Sequence, residues 1–309
     1  MKTCIIFCPK HTGLKSNRKR RDKIVNVLEQ YEIEYDFIQS ESAQSVERIV
    51  NMMIGNGYDN IIIFGGDSAL CDTVNCLMKL EKEKRDSITI GVIPNGVMND
   101  FASFWGFTEK DIINTVESLK ERRIRKVDVG CMTYMNSEQQ KDTKYFLNCV
   151  NVGLIALTQR IKKETRKVLW SRKISFVASL FLLIFHRTFW KMQYTINHET
   201  ERHRTMTLCI GSCHGYGQTP NAVPYNGMLD TTVIKHSALT SLLSGIYLFA
   251  TSKILNYKNA ISYRSRNISL NLQKNVPVSI DGKVMANIDT SKEIKLWVEQ
   301  ECINFIIEK

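Results

Sequence analysis

The sequence predicts an open, mostly parallel α/β domain followed by a β-rich, sandwich-like domain. Through about residue 125, β-branched runs alternate with stretches of helical spacing, which is the pattern of a parallel sheet with crossover helices. Beyond that point, short alternating apolar and polar segments dominate, as in antiparallel sheets. The length of 309 residues also suits about two domains. We place them at residues 1–126 and 127–309.

The predicted elements of the first domain follow in order. Apolar, β-branched runs predict strands at Cys4–Phe7, Tyr35–Ile38, Asn60–Phe64 and Ile88–Ile93. Apolar residues at helical spacing predict helices at Lys15–Gln30, Ala43–Ile54 and Thr73–Leu80.

The second domain is predicted to be mainly strands with two helices. The strands are Val127–Met132, Lys144–Val152, Trp190–Ile196, Thr205–Ile210, Leu229–Ile234, Asn267–Leu272 and Val276–Ile280. The helices are Val168–Phe185 and Leu239–Leu255. The apolar run Ile174–Phe185 would span about 18 Å as a helix, too short for a hydrocarbon core of roughly 30 Å.

Charge and cysteine usage limit the function classes. The net charge of +11 favours anionic partners, namely nucleotide phosphates, acidic lipids or nucleic acid. The nine cysteines are scattered with no Cys-x-x-Cys pair, which argues against tetrahedral zinc and favours a reducing cytoplasm. Basic residues and two tryptophans around Ile174–Phe185 suggest contact with an anionic membrane. The alternative is a core helix with a solvated basic end.

Two polar loops follow predicted strands. Gly65-Gly66-Asp67 could present backbone N–H groups to a phosphate while Asp67 holds Mg²⁺. The segment 94–102 ends the next strand, so both loops would meet at one edge of the sheet. Together they predict a nucleotide site. The alternative is a pair of ordinary turns, with Asp67, Asn99 and Asp100 capping helices. A third candidate is the glycine-containing loop 214–222, which leads into the strand at Leu229. The alternative for this loop is a tight hairpin without a function.

These segments resemble the diacylglycerol kinase catalytic-domain family, which includes bacterial lipid kinases and sphingosine kinases. The resemblance covers nearly the whole chain and rests on five segments in order. They are 65–77 at GGDGTLNEVVNGL, 94–102 at PxGTxNDFA, 148–156 at NxxxxGFDA, 220–230 at PxAxxDDGLLD and 278–282 at the VxxDGE motif.

The resemblance implies transfer of the γ-phosphoryl group of ATP, with Mg²⁺, to a lipid that carries a free hydroxyl. It implies an active-site cleft between the two domains and a last strand, about 297–309, that returns to the first. It assigns to the nucleotide Gly65, Gly66, Asp67, Ser68, Asp72, Pro94, Gly96, Val97, Asn99 and Asp100. It assigns Gly153 and Ile155 to the lipid, Asp67 to the metal, and Asp67 and Asn226 to catalysis.

The chain departs from the family pattern at seven positions, which are Ser68, Ala69, Val97, Ile155, Tyr225, Asn226 and Lys283. Asn226 matters most, because it stands where the family has its proposed general base and an amide cannot accept a proton near neutral pH. Loss of a general base typically costs about 10²–10⁴ in rate. By the resemblance to sphingosine kinases, Asp67 could serve as base instead.

Four functions remain open at this stage. The first is an active lipid kinase. The second is a non-catalytic relative that binds nucleotide or lipid and regulates a partner. An NAD kinase shares the Gly-Gly-Asp loop, but the downstream motifs favour the lipid branch. Nucleic-acid binding has no domain signature to support it. A cytoplasmic protein at the inner face of a membrane is expected, and a homodimer is compatible with the sequence.

Overall fold

The computed structural model describes residues 1–9, 14–42, 45–96, 98–165, 189–214 and 218–308. The chain forms two compact units, Met1–Val129 with Gln300–Lys309 and Gly130–Glu299. The predicted helix Val168–Phe185, its apolar run and Val97 lie outside the described residues.

The first unit is built on a parallel sheet with the strand order β2-β1-β3-β4. Its strands are β1 (Thr3–Phe7), β2 (Asp36–Gln39), β3 (Asn60–Gly65) and β4 (Thr89–Pro94). Every residue of β1, β3 and β4 is buried, as expected for strands covered on both faces. The last strand, β15 (Ile294–Ile306), adds Asn304 and Phe305 in parallel beside β4.

Helices connect the strands of the first unit. They are α1 (Leu14–Gln30), α2 (Ser45–Gly55), α3 (Asp67–Leu77), α4 (Lys82–Asp86), α5 (Asp100–Phe104) and α6 (Ile112–Glu121). Ile24 and Leu28 of α1 pack with Phe64 and Val116 in the core of this unit. The third helix begins at Asp67 and not at the expected Thr73, because the glycines before it form the turn. The helices α4 and α6 were not predicted from the sequence.

The second unit is mainly antiparallel. Its strands are β6 (Lys141–Phe146), β7 (Cys149–Gly153), β8 (Trp190–Ile196), β9 (Glu199–Gly211), β10 (Leu229–Lys235), β11 (Ala260–Ser265), β12 (Asn267–Asn271), β13 (Val278–Ile280) and β14 (Lys283–Val284). The strand β5 (Ile124–Met135), like β15, contributes residues to both units. Val150, Leu208 and Ile280 lie in one apolar core. The predicted fold class is confirmed.

Two further helices belong to the second unit, α7 (Leu154–Thr165) and α8 (Leu239–Ala250), and a short 3-10 turn follows at Ile254–Asn256. The helix expected to reach Leu255 therefore ends five residues earlier. The strand expected at Lys144–Val152 is two strands, separated by a turn at Leu147. Within the described ranges, no helix is both long and apolar enough to span a bilayer.

Candidate functional site

The two predicted loops of the first unit meet at the carboxyl ends of β3 and β4. Gly65 and Pro94 are paired in the sheet, and the backbone N–H of Asn95 donates to the carbonyl of Gly65 at 2.7 Å. Beyond this pair, Gly66 and Gly96 come so close that a Cβ added to either residue would lie 2.7 Å from the Cα of the other. Both positions therefore require glycine, because the two loops pack backbone against backbone at this point.

Asp67 joins the second loop to the first. Its carboxylate accepts hydrogen bonds from the backbone N–H groups of Asp100 at 2.9 Å and Phe101 at 3.2 Å. These are the first N–H groups of α5, which prefer a negative partner. Asp67 therefore caps a neighbouring helix, whereas its own helix α3 has Gly66 at the N-cap and no side-chain cap there. A proton on Asp67 would weaken these two bonds, whereas a carboxylate oxygen has a further lone pair with which it can bind a metal ion.

Asn99 closes the second loop on itself. It has a left-handed backbone with φ of 55°, which Asn tolerates better than most residues. Its Oδ1 accepts from the N–H of Gly96 at 2.7 Å, and its Nδ2 donates to Oε1 of Glu109 at 3.1 Å. The amide of Asn99 thus sets the position of Gly96. A Cβ added to Gly96 would clash with the Oδ1 of Asn99.

Arg20 holds the same loop from α1, and the sequence analysis did not single it out. Its Nη2 donates to the carbonyl of Pro94 at 2.7 Å, and its Nη1 donates to the carbonyl of Glu109 at 3.1 Å. A basic residue inside the run Arg18–Arg21 was the one available signal, but the run alone could not show which arginine turns inward.

The surface of this junction is accessible to a ligand. Gly66, Asp67, Ser68 and Asp100 are half-buried, whereas Asp72 is buried within α3. Among the described residues, no three His, Cys, Asp or Glu side chains are grouped to hold a metal. Mg²⁺ is usually bound by one or two carboxylates together with phosphate oxygens and water. Asp67 and Asp100 fit that pattern, and the bare glycine backbone fits a nucleotide phosphate.

In the second unit, Asn226 is exposed and forms a local turn. Its Oδ1 accepts from the backbone N–H of Met228 at 2.9 Å. The neighbouring Tyr225 is 40% exposed, and the glycine after Asn226 has φ of 69°. The residue at the predicted base position therefore builds a turn and supplies no carboxylate.

The predicted lipid residues lie where β7 passes into α7. Gly153 has φ of 90°, and a Cβ there would lie 2.6 Å from the carbonyl oxygen of Met206. Ile155 is half-buried in the first turn of α7. Gly153 is explained by backbone packing, and Ile155 offers an apolar surface where the family motif has an acid.

Asp281, from the late family motif, anchors the turn between β6 and β7. Its carboxylate accepts from three backbone N–H groups, those of Leu147 at 2.8 Å, Asn148 at 3.0 Å and Cys149 at 2.8 Å. Its own N–H donates to the carbonyl of Cys149 at 3.0 Å, and the residue is 7% exposed. A buried carboxylate that is bound in this way stabilises the turn.

Asp230, at the start of β10, is a buried acid that the sequence analysis quoted only as part of a motif. Its Oδ1 accepts from Nε of Arg264 at 3.0 Å, and its buried Oδ2 has no hydrogen-bond partner among the described residues. Burial raises the pKa of Asp230, and the arginine opposes that shift. Burial also lowers the pKa of His214, which precedes the part of the third loop outside the described residues.

Comparisons with known proteins agree with this architecture. Residues 3–132 match the diacylglycerol kinase catalytic domain, and residues 148–297 match the YegS C-terminal NAD kinase beta sandwich-like domain. A diacylglycerol kinase of Bacillus subtilis is 23% identical over 229 residues, covering 73% of this chain and 71% of that protein.

Solved structures share the fold. A diacylglycerol kinase from Bacillus anthracis superposes with a TM-score of 0.68 at 16% identity, covering 99% of this chain and 97% of that chain. A yeast NADH kinase in complex with NADH gives a TM-score of 0.57 at 10% identity, covering 100% of this chain and 84% of that chain. At these identities the likeness establishes the fold alone.

Proposed function

Because this chain belongs to the diacylglycerol kinase catalytic-domain family, we propose that it is a slow ATP-dependent lipid kinase. It transfers the γ-phosphoryl group of ATP to the free hydroxyl of a lipid, diacylglycerol or a related one. The observation that carries the proposal is the contact of Gly66 with Gly96, which leaves bare backbone at the ends of β3 and β4. Because this contact leaves no room for side chains, the backbone beside it stays bare. Bare backbone suits a phosphate.

The residues of the first unit would hold the nucleotide. The backbone of Gly66 and Gly96 faces the phosphates, while Asn99 and Arg20 keep the second loop in place. Asp67 and Asp100 would hold Mg²⁺, which when bound offsets the negative charge of the transferred group.

The substituted residues of the second unit would limit the rate. Phosphoryl transfer depends mainly on positioning and charge neutralisation, so it can proceed without a strong base. Asn226 can orient a hydroxyl through its amide, but it cannot accept the proton. We therefore expect turnover about 10²–10⁴ below that of a relative with a carboxylate at this position.

A second candidate is a non-catalytic relative that binds nucleotide or lipid and regulates a partner. The engagement of both Asp67 oxygens with α5 favours it, because the other carboxylate available as base is already bound. This candidate requires binding of nucleotide or lipid without turnover.

Calorimetry of ATP binding with and without Mg²⁺, followed by phosphate transfer to lipid extracts, separates the two candidates. The kinase requires magnesium-dependent binding and transfer that Asp67→Asn abolishes. Binding without transfer to any lipid supports the regulator. No binding at millimolar ATP removes the kinase and leaves only a regulator that binds lipid.

The cellular setting is also a proposal. None of the nine cysteines, all of which lie in the described part of the chain, forms a disulfide, which suits a reducing cytoplasm. A lipid acceptor would be met at a membrane surface, so peripheral association with an anionic leaflet is part of the proposal.

A further inference from the structure

The helix α8 exposes large apolar side chains and carries no charge. Residues 237–252, which include all of α8, contain no Asp, Glu, Lys or Arg. Leu243 is 58% exposed and Tyr247 is 68% exposed. The two residues are four positions apart, so they lie on the same face of the helix. A charge-free helix with such a face is unusual for a surface in contact with water alone.

The opposite face of α8 is packed on its own unit. Leu242 is buried in a cluster with Leu154 and Met206. The hydroxyl of Ser241 lies 3.1 Å from that of Tyr257, whose ring would lie 3.1 Å from a Cβ at Gly245. These contacts fix the rotation of the helix, so Leu243 and Tyr247 are held outward.

The chain around α8 is strongly basic. Residues 231–280 contain no Asp or Glu at all. They contain six basic residues, Lys235, Lys253, Lys258, Arg264, Arg266 and Lys274. More than half of the net charge of +11 therefore comes from these fifty residues. Arg264 is paired with Asp230, whereas Lys253 and Lys258 are exposed just beyond the helix.

An aromatic side chain with a cation over its ring precedes β8. Phe189 is 37% exposed, the guanidinium of Arg204 lies 5.4 Å from its ring centroid, and the His236 ring lies 4.5 Å from it. The next residue, Trp190, packs against the cluster that contains Leu242. Exposed aromatic residues beside cations are typical of proteins that contact the interface of a bilayer.

We propose that α8 docks this protein on an anionic lipid bilayer. Leu243 and Tyr247 enter the boundary between headgroups and acyl chains, and Lys253 and Lys258 meet the lipid phosphates. The acid-free stretch 231–280 carries the choice of an anionic lipid, because its charge is complementary to such a surface. This inference rests on the proposed function, because it assigns the surface by which the lipid kinase would contact the membrane. Binding to the bilayer does not itself require catalysis.

The test is sedimentation of the full chain with phosphatidylcholine vesicles that contain or lack phosphatidylglycerol. The double variant Leu243→Ser, Tyr247→Ser removes apolar area that is already exposed, so folding is preserved. We expect it to lose about tenfold in partitioning onto the anionic vesicles, on the order of one large side chain withdrawn from an apolar phase. Lys253→Glu with Lys258→Glu should also release the protein, as should high salt.

The matched control is Ile113→Ser on α6. Ile113 is 57% exposed in the first unit, so it loses about as much exposed apolar area as the Leu243→Ser half of the double variant. It should bind vesicles like the wild type. Equal binding by the wild type and the double variant overturns the proposal. So does a double variant that changes the oligomeric state and keeps vesicle binding, because the face is then an interface between two copies of the chain.

A water-soluble short-chain diacylglycerol separates this proposal from the kinase proposal. If the double variant phosphorylates it like the wild type but fails on vesicles, both proposals stand. If the wild type phosphorylates neither form while only the double variant leaves the vesicles, the docking surface stands and the kinase fails. If transfer proceeds on vesicles that bind the wild type and double variant equally, the kinase stands and the docking surface fails.

Discussion

The loop junction of the first unit and the segment 218–230 of the second unit differ in what they keep of the family's motifs. At the junction, Asp67 binds backbone groups of the other loop, Asn99 binds the backbone of its own loop, and Gly66 contacts Gly96. In the second unit, Asn226 binds its own turn, and Asp230 leaves one buried oxygen without a partner among the described residues. The difference teaches that the chain keeps the backbone shape of the glycine loops but has an amide, and no carboxylate, at position 226 of the second unit.

We expect the largest effect from a substitution that adds a carboxylate at position 226. Asn226→Asp places a carboxylate at the exposed turn and should raise the initial rate of lipid phosphorylation by about 10²–10⁴. The matched control is Asn221→Asp, which adds the same charge at another exposed asparagine of this segment. An equal increase in both variants would mean that charge alone, and not the base position, changes the rate.

Removing the Asp281 anchor tests whether the late motif has a structural role. Asp281→Asn loses the charge that binds three backbone N–H groups and should lower the free energy of unfolding by about 3 kcal/mol. Urea denaturation measures the change. Asp111→Asn is the control, because Asp111 caps α6 through one N–H group and asparagine caps a helix equally well. A loss below about 1 kcal/mol in Asp281→Asn would contradict the anchor.

Separating the two loops of the first unit tests the nucleotide side. In Gly96→Ala the new Cβ would lie 2.5 Å from Oδ1 of Asn99 and 2.7 Å from the Cα of Gly66. The loops must move apart, and we expect the dissociation constant of ATP to rise by about tenfold or more, in line with the usual cost of overpacking. Gly55→Ala has nothing within 4 Å of its Cβ and should bind ATP unchanged. Calorimetry on both variants decides.

The smallest effect concerns the buried carboxyl of Asp230. Burial raises the pKa of Asp230, so the native state holds its proton more tightly than the unfolded chain does. The free energy of unfolding should therefore fall as the pH rises from about 3.9, the ordinary carboxyl value, through the native pKa. In Asp230→Asn this part of the pH dependence should vanish. Identical slopes for both proteins in urea titrations at a series of pH values would count against the burial effect.

Much of the fold could be predicted from local pattern. The strand at Trp190–Ile196 was predicted at its observed bounds, because its apolar residues alternate against a single core. The helix α6 was missed although Ile112, Val116 and Leu119 stand at helical spacing and are buried. The break at Leu147 could not be read locally, because the carboxylate that binds the turn comes from Asp281, more than a hundred residues later.

The candidate site was predicted in part for the same reason. That Gly66 and Gly96 would lie at one edge of the sheet followed from their place after consecutive strands. The hydrogen-bond partners of Asp67 could not be predicted. Its own helix, α3, was the nearest one for it to cap, but its carboxylate caps α5. Arg20 was hidden in a basic run, and the exposed face of α8 depends on which side of an apolar helix packs inward.

The parallel pairing of β15 with β4 has a consequence for synthesis of the chain. Asn304 and Phe305 complete a sheet whose first strand begins at Thr3. During translation, β4 therefore has an open edge until residues 304 and 305 have left the ribosome. All residues of β4 are buried in the folded protein, and most of them are apolar. While its edge is unpaired, such a strand can pair with another chain and aggregate. Truncation before residue 300 should thus leave a first unit that chaperones retain, even though most of its residues are already made.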